Sequence, residues 1–326
     1  MSMDDDLEKV AEAGGQLETP MVGSPSESSL RPAQSPVAGA PGSGCGAFAG
    51  GVPPRGAMGD VQSTPSVPIP PPFVYALGRI EPRFPRLSVE KEFAQATGRA
   101  GTAGLTDREA LYAILSKPEN RYLSRQLCWV FTIEGLETYI LHPTCFGDFN
   151  LLVEAVRPGP RPTDVDVVIG IRGPLAPPEL CNGLMVPIVV FNQIYSFDVD
   201  SLIATIPRPE KGKKEERFEA AAEELFWRIM QLADNAGATD EHRALNYLVV
   251  RYPAIYAKAA EEFGKDFSLT AVEARLSPLS GTRKVVEVIF SYTNRNTDFT
   301  EKFFVRVDVT EEWPFLVTKM SPYYDR

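Results

Sequence analysis

The sequence is short of the side chains that enzymes use most. Its 326 residues hold two histidines, His142 and His242, so a Ser/His/Asp or Cys/His centre would have to use one of them. Four cysteines, Cys45, Cys128, Cys145 and Cys181, stand far apart with no CxxC pair. That excludes a zinc ribbon and is the spacing a reducing compartment allows. No GxxxxGK[ST] loop, no strand-borne GxGxxG and no GxSxG elbow occurs, which removes the common phosphate cradles and the serine-hydrolase turn. No apolar stretch reaches the roughly 18 residues of a membrane span. The longest, "LMVPIVVF", has strand length. Basic residues are outnumbered 33 to 43, for a net charge of −10. That balance argues against a nucleic-acid partner and against an anionic membrane surface. The opening "MSMDDDLEKV" lacks a signal peptide's basic end and apolar core, so a cytoplasmic protein is expected.

What is present separates into a tail and an ordered remainder. Residues 1 to 72 carry 12 of the 29 prolines and almost no aromatics, too little apolar surface to offset ordering entropy. This segment reads as a disordered tether. Order begins at "FVYALGRIEPRFP", a strand closed by its prolines. Ser88 is expected to cap the helix that follows and Gly98 to stop it. Thr106 and Glu109 have capping-box spacing ahead of a second helix. "LCWVFTIEGLETYILHP" alternates on either side of Glu134-Gly135 and predicts a hairpin. "FGDFNLLVEAVRP" reads as helix, and "TDVDVVIGIRG" and "LMVPIVVFNQIYSF" as strands. The proline in the last demotes it toward an edge or a bulge. A short helix over "DVDSLIATIPRP" and a charged break at "EKGKKEERF" place a boundary, giving an α+β part over 73–209 and a second part over 210–326. The second part opens with the helix "ERFEAAAEELFWRIMQLADNAG". A helix pair broken at Pro253 comes next, with Thr239 as first cap, and then four strand-like runs. The fold class is α+β, with a C-terminal antiparallel sheet packed on helices.

Three groups of residues can carry chemistry. His142 and Cys145, joined by Cys128 and Cys181, have the donor types of a zinc site. Cys181 sits in "PELCNG" with no cation nearer than Arg172, so packing or metal ligation suits it better than a nucleophilic role. Asp164 and Asp166 alternate along one strand face and read as solvated, while Asp198 and Asp200 suit a helix start. Tyr292, Asn294, Arg295, Trp313, Tyr323 and Tyr324 place aromatics beside adaptable polar groups at the turns of the last sheet, as protein-recognition surfaces do.

Long stretches carry a family resemblance. "YALGRIEPRFPRLSVEKEFAQA", "RPTDVDVVIGIRGPLAPPELCNGLMVPIVVFNQIYSFD", "ADNAGATDEHRALNYLVVRYPAIY" and "IFSYTNRNTDFTEKFFVRVDVTEEWPFLVTKMSPYYDR" resemble the C-terminal domain of unknown function of the PatG macrocyclases of cyanobactin biosynthesis. A related copy ends the PatA-type protease. The resemblance covers residues 73 to 326. It implies a role in ribosomally made, modified peptide pathways and names no catalytic residue. The sequence contains no Asp/His/Ser protease domain, so macrocyclisation does not transfer. The expectation is a non-catalytic accessory protein that binds precursor peptide or a pathway enzyme, with a homodimer as a further possibility. The alternatives are a metal-dependent peptide-modifying enzyme and a homodimeric scaffold.

Overall fold

The computed structural model describes residues 72–100, 104–158, 165–197, 222, 224–229 and 235–324. The tail, the "DVDSLIATIPRP" segment and the proposed 209/210 boundary lie outside the described residues.

The first strand, β1 (Phe73–Arg83), is followed by three helices: α1 (Leu87–Ala100), α2 (Asp107–Leu115) and α3 (Arg121–Gln126). The Thr106–Glu109 capping box forms: the Thr106 hydroxyl accepts from the Glu109 amide, and Glu109 accepts from the Thr106 amide at 2.8 Å. At α1 the structure corrects the sequence reading. The helix already includes Leu87, so Ser88 lies within it, and Gly98 does not end it. A glycine costs only about 1 kcal/mol inside a helix and cannot stop one unaided.

Strands β2 (Cys128–Ile133) and β3 (Leu136–Pro143) form the expected hairpin. Its two turn residues, Glu134 and Gly135, both have positive φ, 50° and 80°, the requirement of a twist-matched two-residue turn. Helix α4 (Phe149–Ala155) leads to β4 (Val165–Leu175) and β5 (Pro187–Phe197). The five strands close into a barrel in the order β1-β2-β3-β5-β4. Every pairing is antiparallel except β3 with β5, where Ile140 faces Ile188. Strand order and the helix between β3 and β4 together make this an OB-type Greek-key barrel. Pro187 is the first residue of β5, a position that needs no ladder donor. The ladder slips beside it, between Arg172 and Leu175, so the bulge expectation holds. The edge expectation does not, because β5 has a neighbour on each side. A barrel this small bends sharply. At Gly170 a Cβ would lie 2.3 Å from the Val190 carbonyl, so a close backbone approach there requires glycine.

The remainder is a helical segment at 224–229, then α5 (Asp240–Arg251) and α6 (Ala254–Gly264). Four strands follow: β6 (Phe267–Leu276), β7 (Val285–Asn294), β8 (Thr300–Asp308) and β9 (Phe315–Pro322), in the order β6-β7-β8-β9. The fold is α+β, as the patterning predicts. Thr239 caps α5 by accepting from the His242 amide, and Pro253 separates the two helices. Alternate residues of β7 and β8, among them Val288, Phe290, Val305 and Val307, pack on α5 and α6. The same buried cluster takes in Tyr75, Leu77, Val167 and Ile169 from the barrel. This cluster joins the barrel to the helices and the sheet, while a second holds Val74, Ile80, Phe131, Val168 and Phe191 of the barrel with Phe93, Ile114 and Leu152 of α1, α2 and α4. On the outward face of the sheet the Arg306 guanidinium donates to the buried Glu287 at 2.8 and 3.1 Å.

Candidate functional site

The loop that carries Cys181 is the key to the site. "APPELCNGLMV" runs from β4 to β5 and folds back on itself. Ala176 N–H donates to Val186 O at 2.9 Å, Leu184 N–H to Cys181 O at 3.0 Å, and Gly183 N–H to Pro178 O at 2.7 Å. Asn182 and Gly183 take the positive φ values of a tight turn, 47° and 89°. Cys181 is joined to Cys128, the first residue of β2, with 5.7 Å between their Cα atoms. The bridge is buried with Val130, Ile140 and Ala176. The loop is therefore fixed both covalently and by packing to the β2–β3 face.

This corrects the sequence reading of the cysteines. A sulfur in a disulfide is not a thiolate, so neither Cys128 nor Cys181 is available to bind zinc or to attack a carbonyl. Cys145 is not a free thiol either. His142 is exposed on β3, separate from any such set. Among the described residues no group of three or more His, Cys, Asp or Glu side chains is placed to hold a metal. The spacing of the cysteines cannot reveal the bridge, because 53 residues separate its ends and only the barrel closes that distance.

A cleft of about 480 Å³ opens beside the bridge. Its floor is the start of β2 and the end of β3, with Trp129, Ile140, Leu141 and His142. One wall is the segment between β1 and β2, which supplies Arg86, Ser88 and Arg125. The other wall is the Cys181 loop, which supplies Glu179 and Leu180. Trp129 is held by its indole N–H, which donates to Ser124 O at 2.9 Å. A second, smaller depression shares Arg125 and Phe149 with the cleft and extends it past Arg121, Phe146 and Asn150. The Arg125 guanidinium lies 5.0 Å from the centre of the Phe146 ring. In OB-type barrels the β2–β3 face, between the β1–β2 and β4–β5 connections, is the place where ligands lie. The cleft occupies that place.

The aromatic site predicted on the last sheet does not assemble. Tyr292 is 1% exposed and belongs to the core. Its hydroxyl is pushed to a higher pKa, first by burial and then by Glu262. The Asn294 side chain accepts from the amides of Asn296 and Thr297, which holds the β7–β8 turn. Arg295 donates to the Ser268 hydroxyl at 2.6 Å and stacks on Phe263. Both residues shape a turn. Trp313 lies at the opposite end of the sheet, in the β8–β9 turn. The ladder from Thr293–Thr300 to Val285–Asp308 separates the two ends by about 26 Å at ~3.3 Å per residue. At Trp313's end Leu276, Leu279, Trp313 and Phe315 are exposed, Leu276 on the edge strand β6 and Phe315 on the other edge strand, β9.

Asp166 differs from expectation too. It is 4% exposed rather than solvated. It accepts from Ile80 N–H at 3.1 Å and from the Ser196 hydroxyl at 2.8 Å. Burial raises its carboxyl from 3.8 to about 6. Asp164, Asp198 and Asp200 lie outside the described residues. The cleft arginines were missed because Arg86 lies 35 or more residues before Arg121 and Arg125, and only the fold brings them to one wall.

Residues 212–323 match the family model described as PatG C-terminal. A solved structure described as "PatG Domain of Unknown Function" matches with a TM-score of 0.61 at 19% identity, covering 77% of this chain and 98% of that one. No curated protein matches. No helix among the described residues is long and apolar enough to cross a membrane.

Proposed function

We propose that this chain, which carries a PatG C-terminal-like domain, is a non-catalytic protein that binds an extended peptide during the maturation of ribosomally made, modified peptides of the cyanobactin type. The observation that carries the reading is the cleft: a preformed groove at the ligand position of the barrel, with an apolar floor and polar rims. The disulfide supports it by fixing one wall in advance, so little ordering entropy is spent on binding. The metal-dependent alternative loses two of its four ligands to that bridge. The Cys128–Cys181 bridge suits an oxidising compartment and so counts against the cytoplasmic expectation.

The test uses a fluorescein-labelled precursor peptide, leader and core together, and the full chain. Ser88 is exposed on the cleft wall, and Ser88→Trp fills the groove from its rim. We expect peptide affinity to fall by at least about tenfold in Ser88→Trp, which is the loss of ~1.4 kcal/mol. Ser88→Ala is expected to bind as the wild type does. Hydrogen exchange is expected to slow over 140–143. Undiminished binding by Ser88→Trp would remove the cleft from the reading. A mass change in the peptide after incubation with the protein alone would remove the word non-catalytic.

A second reading rests on the apolar end of the last sheet. Leu279, in the β6–β7 turn, is 72% exposed, and an exposed apolar side chain of this size can mark a protein contact. A homodimer through this end predicts that Leu279→Asp shifts the sedimenting mass from dimer to monomer. A wild type that sediments as a monomer at high concentration ends this reading.

A further inference from the structure

We infer that the cleft selects an acidic peptide, and that Arg86 and Arg125 are the residues that recognise its carboxylates. This rests on the cleft being a peptide site and says which peptides it takes. The protein has ten more acidic than basic groups, yet the cleft and its extension are lined by three arginines, Arg86, Arg121 and Arg125. All three are exposed. Several other cations find carboxylates, among them Arg83 with Glu137, Lys258 with Glu262, Arg306 with Glu287, and Arg283 with Asp308. Among the described residues, the guanidinium groups of Arg86, Arg121 and Arg125 have no ion pair; Arg125 has only the ring of Phe146.

The placement costs stability. Arg121 and Arg125 stand four residues apart on α3, where like charges repel along a helix face. A chain this rich in Asp and Glu has acidic residues to spare, and one acid on that face would cancel the repulsion. The single acid of the cleft, Glu179, sits on the opposite wall. The groove therefore has a cationic wall, an apolar floor and one acidic counter-mark. An extended strand with carboxylates on one side and apolar side chains on the other complements it. Guanidinium groups bind carboxylates in paired hydrogen bonds, and a groove that partly excludes water strengthens them.

Single-stranded nucleic acid is the other polyanion known for this barrel type. It needs exposed rings on which bases stack and a long cationic track. Here Trp129 is 2% exposed, and Phe146, 70% exposed with Arg125 against its ring, is a single ring rather than a row of them, so the peptide is favoured.

The probes are a fluorescein-labelled peptide alternating glutamate with leucine, its glutamine counterpart, and labelled oligo-dT. Each is titrated by anisotropy into the full chain, into Arg86→Gln/Arg125→Gln, and into Ser88→Trp. We expect the glutamate peptide to bind at least about tenfold tighter than the glutamine peptide, with the preference shrinking as salt rises. The preference is expected to vanish in the double variant, whose melting temperature is expected not to fall below that of the wild type. Equal binding of both peptides, lost in Ser88→Trp, would overturn the acidic preference and leave the peptide cleft standing. Oligo-dT binding more tightly than the glutamate peptide would overturn it in favour of nucleic acid. Failure of all three probes to bind would overturn both the preference and the cleft.

Discussion

Gly237→Ala is expected to destabilise the protein by about 4 kcal/mol, enough to lower the melting temperature by on the order of 10 °C. Gly237 has φ +69°, and a Cβ there would stand 2.3 Å from the Tyr75 carbonyl oxygen and 2.7 Å from the Ala76 Cα. Both obstacles are backbone of β1, so no side chain can swing aside. The left-handed conformation alone costs an alanine about 1–2 kcal/mol. The rest comes from the contacts that must break for the segment to move. Gly237 O accepts from Tyr75 N–H at 2.9 Å, and Ala236 O accepts from the Tyr139 hydroxyl at 2.8 Å. Asn246, fully buried on α5, donates to Tyr75 O at 2.8 Å and exchanges amide hydrogen bonds with Asn235. Each bond is worth about 1 kcal/mol net, and more when a buried partner is orphaned. Gly183→Ala is the control. It has φ +89° with nothing within 4 Å of its added Cβ, so only the conformational cost remains. Equal losses in the two variants would show that the segment yields and that the approach to β1 is not rigid.

That segment also shows how far the sequence could be read. "NAG" was legible as the end of a helix, because glycine and asparagine tolerate the conformation that ends one. Nothing local says that the three residues then run against β1 and tie it to α5 through Asn246. The hairpin at Glu134-Gly135 and the capping box at Thr106 were legible for the same reason in reverse: every interaction that makes them lies within a few residues. The helices and most strands followed from periodicity, and with them the α+β class. Barrel closure did not, since it depends on pairing β1 with β4 and β3 with β5 across long separations. The site followed the barrel. Arg86, Arg125 and Glu179 converge only once those strands pair, and the same closure brings Cys181 to Cys128. Tyr292 was misplaced because an aromatic near a turn looks exposed until its strand parity is known. It shares parity with Val286, Val288 and Phe290, which all face the core. Asp166 was misplaced for a related reason. Which face of β4 is covered depends on the barrel, which brings the Ile80 amide and the Ser196 hydroxyl to its carboxyl.

The same aspartate gives the other large effect. Its carboxyl titrates near 6 in the folded chain, raised from 3.8 chiefly by burial. The Ser196 hydroxyl, the Ile80 amide and the charges of Arg108 and Arg79 oppose that rise without cancelling it. The folded state therefore binds this proton more tightly than the unfolded state does. The stability it contributes is fully present below about pH 3.8 and is lost as pH rises through about 6. At 1.36 kcal/mol per pH unit the loss approaches about 3 kcal/mol by pH 7. Asp166→Asn is expected to abolish that slope. Its carbonyl can accept from Ile80 N–H, and its amide can donate to Ser196, whose hydroxyl turns to accept, so both hydrogen bonds survive. Denaturant unfolding of the two proteins at a series of pH values checks this. The variant is expected to gain on the wild type steadily between about pH 4 and 6 and to be the more stable of the two at pH 7 by about 3 kcal/mol less any loss in hydrogen-bond strength. A constant difference across that range would mean that Asp166 is ionised throughout. Arg79 and Arg108 would then hold a buried charge at the β1–β4 seam, and the barrel would depend on that ion cluster rather than on a protonated acid.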